Sequence, residues 1–239
     1  MRIYILSRKK SITFIFVLLV LMIFSFFYLH KNIDTFTIPN VEEPIRSGYK
    51  DSTKMAFTCN VDWGTEEIPK ILEICEKEQI YITFFVSGRW ADNNPEMLKL
   101  MHEKGHEIGS HAYSHKMHSK ISKEENYREI KKTEDVILNV LGKKPIYFAP
   151  PSGDYNETTL KVAKELGYQT ILWSVDTIDW KEGSTKDVII DRVMKKPHKG
   201  AILLMHPKPA TVEALPYLIE NIKKEGIKIG TISQLLKQE

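Results

Sequence analysis

Ser110-His111-Ala112-Tyr113-Ser114-His115 directly follows a short run that reads as a strand. Two imidazoles four residues apart fall on one face of a helical turn, where both can reach a single divalent ion. A His-rich surface is the competing reading, because His102, His106 and His118 stand nearby. His102 and His106 share the spacing, but Gly105 between them interrupts a helix. Upstream, Thr58-Cys59-Asn60-Val61-Asp62-Trp63-Gly64 puts Asp62 at the end of another expected strand. There it would complete an Asp-His-His set that leaves one position open for water, as a catalytic metal requires. It would equally serve as a helix cap or in the turn before Gly64. Three later segments also follow expected strands: Ala149-Pro150-Pro151-Ser152-Gly153-Asp154, Trp173-Ser174-Val175-Asp176-Thr177-Ile178-Asp179-Trp180 and Leu204-Met205-His206. Singly they carry little, since Asp179 alone suits a cap and a Leu-x-His triplet is common.

The elements that must position these residues show a repeated grammar. Lys/Glu-rich helix ends pass into short strands at Glu76–Ile80, Glu103–His106, Lys164–Tyr168 and Lys224–Ile227, three of them through a glycine suited to the left-handed position past a helix. Strands are expected at 55–60, 81–86, 107–110, 145–148, 169–174, 201–205 and 228–232. Helices are expected at 66–77, 95–104, 122–141, 157–166, 186–194 and 212–224. Ser122 with Glu125 has the capping-box spacing, and Pro69 is tolerated in a first turn whose N–H groups lack partners anyway. Alternation of this kind implies an α/β fold with a mostly parallel sheet and helices outside. An open sheet and a barrel both gather chemistry at the C-terminal ends of the strands. The chemistry-bearing segments all fall there.

Arg2, Arg8, Lys9 and Lys10 precede an uncharged run, Ser11–Leu29. Nineteen such residues at about 1.5 Å each approach the ~30 Å of a hydrocarbon core. The basic flank (1–10) stays in the cytoplasm and exports the rest. Phe26-Phe27-Tyr28-Leu29-His30-Lys31 lacks a small-residue cleavage pattern, which favours an uncleaved anchor over a signal peptide. Residues 30–51, with Pro39, Pro44 and Gly48, read as a tether, and residues 52–239 as one domain. The net charge of +3 gives no footprint for nucleic acid. Cys59 and Cys75 both sit at apolar-face positions of a strand and a helix, as buried thiols do, although an exported domain also permits a bridge.

Taken in order, these segments resemble the polysaccharide deacetylase, or NodB-homology, family over about residues 53–237. Ile82-Thr83-Phe84-Phe85-Val86-Ser87-Gly88 looks like that family's second strand. The resemblance implies a distorted (β/α) barrel of about seven strands and a metal-dependent hydrolase that removes N-acetyl groups from a cell-envelope glycan. It implies that Asp62, His111 and His115 hold one divalent metal, usually zinc or cobalt. His206 would protonate the departing amine with Asp179 behind it. The Ser152 N–H would stabilise the oxyanion, and Trp173 and Leu204 would line the acetyl pocket.

The pattern breaks in two places. Relatives carry an acidic base where this chain has Asn60, and an arginine orienting it where this chain has Ala149. Losing both together is coherent, because a buried arginine without its carboxylate is costly. Three expectations follow. Asp62 acts as base, or another carboxylate such as Glu66, Glu67 or Asp154 does, or the domain has lost most catalysis and binds glycan as an envelope protein.

Overall fold

The computed structural model describes residues 19–23, 25, 43–50 and 52–237. The chain divides into two compact units, residues 1–40 and 41–239. In the first, Leu19–Ile23 and Ser25 are helical. The rest of the expected anchor lies outside the described residues, and among those described no helix is long and apolar enough to cross a membrane.

The second unit is built on an eight-stranded sheet in which every strand pairing is parallel. The strands are β1 (Lys54–Val61), β2 (Thr83–Val86), β3 (Glu107–Ser110), β4 (Tyr147–Phe148), β5 (Gln169–Thr170), β6 (Val175–Asp176), β7 (Ile202–Met205) and β8 (Lys228–Gly230). Their order is β5-β4-β3-β2-β1-β7-β6, with β8 paired to the start of β1. The sheet curls without full closure. Where sequence analysis places one strand over 169–174, only 169–170 forms one, β5, and the next short strand, β6, begins beyond it at Val175 on the opposite margin.

The period-two alternation of β1 explains how a strand serves a core and a site together. Met55, Phe57, Cys59 and Val61 join the large apolar cluster shared with the helices Ile68–Lys77 and Pro209–Lys224. Ala56 belongs to a smaller inner cluster with Phe85, Tyr147, Ala149, Ile171 and Ile202. Further along the same alternation, Thr58 donates to Leu203 O (2.8 Å), and Asn60 and Asp62 line a cavity. Cys59 and Cys75 are free and buried in the outer core, and burial pushes the Cys75 thiol up to about 12.

Three departures from the sequence expectation bear on how the site is held. The tether assigned to 30–51 is part of the fold at its end. Ile45 bridges Ile171, and Ser47 bridges Ala201 beside β7. The strand expected through Ile232 stops at Gly230, because Thr231 and Gln234 form a capping box that starts the helix Ile232–Leu236. That helix sends Ile232 and Leu235 into the inner cluster. A short helix, Gly88–Asn93, also follows β2, with Ser87 Oγ accepting from Trp90 N.

Candidate active site

A cavity of about 460 Å³ is lined by Asn60, Asp62, His111, His115, Ser152, Trp173, Leu204 and His206, joined by Trp63, Asp176 and Trp180. Every site residue expected from sequence lines it except Asp179, which stands behind His206. Asn60, Asp176 and Leu204 lie at the ends of β1, β6 and β7, and the others come from segments that follow strands.

The acid side is tightly built. Asp179 Oδ1 lies 2.7 Å from His206 Nδ1, while Oδ2 accepts from His206 N and Thr211 Oγ1, both at 2.7 Å. Burial alone would raise the Asp179 carboxyl, but its bonds to His206 and Thr211 hold it below the usual carboxylate range. With Nδ1 facing the carboxylate, Nε2 is the nitrogen left to exchange a proton with a ligand. The His206 ring stacks on Trp63, with centroids 5.9 Å apart and planes at 11°.

The histidine pair is not helical, contrary to its spacing. Residues 111–117 form an irregular loop in which Ala112 (φ 57°) and His115 (φ 58°) adopt left-handed conformations. The rings still meet, with centroids 5.1 Å apart at 71°. Glu129, on the helix Lys123–Leu141, holds the loop by accepting from Tyr113 N (3.1 Å), Ser114 N (2.6 Å) and Ser114 Oγ (2.7 Å). His111 Nδ1 lies 2.7 Å from Ala149 O, so Nδ1–H donates and Nε2 keeps its lone pair. Burial, then the neighbouring His115, pushes His111 down to about 3, so it is neutral at ordinary pH.

The base side is bare. Asn60 is 5% exposed, and its Oδ1 is buried without a partner among protein groups. Ala149 packs in the inner apolar cluster, leaving no guanidinium there. The alternative bases lie elsewhere. Glu67 pairs with Lys70, Asp154 accepts from Ser119 N and Oγ, and neither these two nor Glu66 line the cavity. Asp62 and Asp176 are the carboxylates in its wall. Burial raises the Asp176 carboxyl, and its Oδ1 accepts from Ile178 N (2.7 Å).

Ser152 sits in the turn Pro151–Gly153 with φ 56°, a conformation that costs a non-glycine residue about 1 kcal/mol or more. A side chain at Gly153 would strike Trp173, 2.8 Å from the added Cβ. The strained turn thus sets the Ser152 peptide against the cavity wall that Trp173 forms.

One carboxylate and two imidazoles are the donor types a divalent metal favours. Their arrangement as it stands does not fit one. Among the described residues no three His, Cys, Asp or Glu side chains gather to hold an ion. Asp62 is instead engaged by Ser87 Oγ (2.5 Å) and Arg89 Nε (2.8 Å) on Oδ1, and by Arg89 Nη2 on Oδ2. Burial works to raise its carboxyl, but these donors outweigh it and lower it.

The model of the polysaccharide deacetylase family matches residues 48–171, just over half of the chain. The chain belongs to the polysaccharide deacetylase family. Within that family it is 40% identical over 196 residues to an uncharacterized Bacillus subtilis protein, YlxY, across 82% of this chain and 61% of the relative. It thus spans less than two thirds of that relative. It is 32% identical over 196 residues to a peptidoglycan-N-acetylglucosamine deacetylase of Bacillus cereus, across 80% of this chain and 71% of that one. Among solved structures, a CE4 family pseudoenzyme from Bacillus anthracis superposes with a TM-score of 0.80 at 40% identity, covering 82% of this chain and 69% of that one. A mutant of that pseudoenzyme described as having restored enzymatic activity superposes equally well, at 38% identity, covering 82% of this chain and 71% of that one. Family membership therefore leaves open whether a given domain turns over, and the residues in the cavity must decide it.

Four contributors were not singled out from sequence: Arg89, Ser87, Glu129 and Thr211. Only Ser87 had a signal, a cap residue just past a strand. The others act through the fold, from segments with no motif of their own.

Proposed function

We propose that this chain binds an N-acetylated cell-envelope glycan outside the membrane and hydrolyses it slowly at most, with the acid half of deacetylase chemistry in place and the base half missing. The observation that carries this reading is the contrast within one cavity. His206 is fully supported by Asp179 and Thr211, whereas the base position is a buried amide with an unpartnered oxygen.

Amide hydrolysis needs a proton taken from water and a proton given to the departing amine. His206, with Nδ1 held by Asp179, suits the second task. Asn60 cannot perform the first at neutral pH, and a general base is typically worth about 10²–10⁴-fold. The Ser152 N–H is the candidate oxyanion donor, and Trp173 with Leu204 the candidate acetyl pocket. Asp62, His111 and His115 would hold one divalent metal, zinc or cobalt, only with Asp62 released from Arg89, and its contribution when bound would be to polarise the acetyl carbonyl. The names of the relatives support peptidoglycan as the glycan class, and "pseudoenzyme" for a chain 40% identical supports weakened turnover. The apolar run 11–29 supports a membrane anchor with the domain outside, as an uncleaved N-terminus in mass spectra of the native protein would verify.

The deciding measurement is acetate released per protein from peptidoglycan and from N-acetylglucosamine oligomers. Wild type, Asn60→Asp, Ala149→Arg and the double variant are compared at matched metal occupancy and folded fraction. Asn60→Asp is expected to raise release by about 10²-fold. The double is expected to exceed the sum of the singles, because the arginine orients the new base. A wild type already fast, and slowed by Asn60→Asp, would refute the missing base. No release from any variant would assign the domain to glycan binding alone.

A further inference from the structure

Asp62 supplies the one negative charge of the proposed Asp-His-His set, and that charge is already matched. Arg89 meets it side-on, Nε on Oδ1 at 2.8 Å and Nη2 on Oδ2, while Ser87 Oγ adds a third donor to Oδ1. This is the two-point geometry in which guanidinium and carboxylate bind most strongly. The arginine is also fixed to the loop that carries the histidines. Gly88 N and Arg89 N donate to the carbonyls of Ala112 and Tyr113, at 2.8 and 3.1 Å. The Asp62 side chain is 9% exposed and that of Arg89 50%, so the guanidinium covers the carboxylate from the solvent side and has room to leave.

Asn60 makes this pairing consequential. A carboxylate there, two residues from Asp62 on the same side of β1, would add a negative charge to share between two cations. With an amide, a divalent ion entering beside the guanidinium would set three positive charges against the single negative charge of the donor set, Asp62, in a partly desolvated site. At such separations like charges repel strongly. The histidines donate lone pairs but no negative charge.

We propose that Arg89 is a competing cation, so that guanidinium and divalent metal exclude one another on Asp62 and metal enters only when Arg89 swings into solvent. The proposal rests on the reading of Asp62, His111 and His115 as metal donors. It makes metal occupancy a property of this chain's second-strand turn as well as of the donors.

The test is titration of the detergent-solubilised full chain with cobalt(II), followed by its visible absorption, and with zinc(II) by calorimetry. Arg89→Gln removes the charge at a half-exposed position and is expected to bind either metal at least about tenfold more tightly than wild type, the scale of one lost charge-assisted pair. Arg89→Lys keeps the charge and is expected to stay within a few-fold of wild type. Adding His111→Ala to Arg89→Gln is expected to remove the gain. Equal or weaker metal binding by Arg89→Gln than by a metal-binding wild type would overturn the competition and leave the donor set standing. No binding by either protein, with thermal unfolding unchanged, would overturn both.

Discussion

Asp179 carries three hydrogen bonds on two oxygens, and all of its partners are donors. It thereby fixes the His206 ring and the His206 backbone at once, and it is 2% exposed, so water cannot replace a lost bond. Asp179→Asn sets an amide NH₂ against at least one of these donors and removes the charge opposite the imidazole. In the Asn60→Asp background, acetate release is expected to fall by at least tenfold. Stability is expected to fall by about 1–3 kcal/mol, the cost of stranding a buried donor. Thr211→Val is the comparison, since it deletes one bond and leaves the carboxylate on the ring. It is expected to cost about 1 kcal/mol while keeping release within a few-fold. Urea unfolding and the acetate assay on the same preparations read both quantities. Equal losses of release in the two variants would show that the carboxylate acts on general packing rather than on His206. At this scale the sequence was most readable, because residue types such as Asn60, His206 and Asp179 state their chemistry wherever they are placed.

At the scale of elements, the loop 111–117 shows where that readability stops. The spacing of His111 and His115 is right for convergence and wrong about its cause. No helix forms, and the rings meet because two left-handed residues fold the loop back. Ala112 does not advertise positive φ, and His115, although histidine is enriched there, has no flanking turn signal to mark it. The conformation is imposed from outside by Glu129, which accepts three hydrogen bonds from Tyr113 and Ser114. Burial would raise the Glu129 carboxyl, but these bonds and Lys116 hold it down. Glu129→Ala is therefore expected to cost about 2–4 kcal/mol in urea unfolding, in line with losing a buried, multiply bonded charge. It is also expected to speed hydrogen exchange at the Tyr113 and Ser114 amides well beyond that at β3. Uniform acceleration across the sheet would mean that Glu129 supports the whole domain and not the loop. One other miss had a readable signal. Thr231-Ile232-Ser233-Gln234 is a capping box that its apolar neighbours disguise as the end of a strand. The helix Gly88–Asn93 spans six residues, too few for a helical period to emerge. Ser122 caps Glu125 N as its spacing indicates, yet the Glu125 side chain reaches Lys116 and Arg128 instead of returning to Ser122.

For the molecule as a whole, burial has been extended to groups that titrate. His106, His111 and His118 are each at most 4% exposed, and burial lowers all three, His106 to about 4 and His111 to about 3. His106 sits between strands, its Nδ1 accepting from Ile82 N (3.2 Å) and its ring edge-on to Phe84. An unfolded chain takes up a proton at each of these positions near pH 6.5, while the folded chain refuses it until lower pH. Between those limits the unfolded state binds more protons, so stability rises with pH across the window and is lost on acidification. The lowered carboxyls of Asp62 and Asp179 act only at the acid edge of the window, since their contribution is lost only as pH falls below the unfolded carboxylate value of about 3.9. His106→Asn separates the terms. Its Oδ1 can accept the Ile82 N–H, it does not titrate, and it lies outside the catalytic cavity. Any packing cost is the same at both ends of the window and cancels in the comparison. The loss of unfolding free energy from pH 7 to pH 4.5 is expected to be about 2 kcal/mol smaller in His106→Asn than in wild type. Parallel losses in the two proteins would mean that His106 takes up its proton in the folded state as readily as in the unfolded one. That would locate the acid sensitivity in the histidines near the site and not in the sheet beneath it.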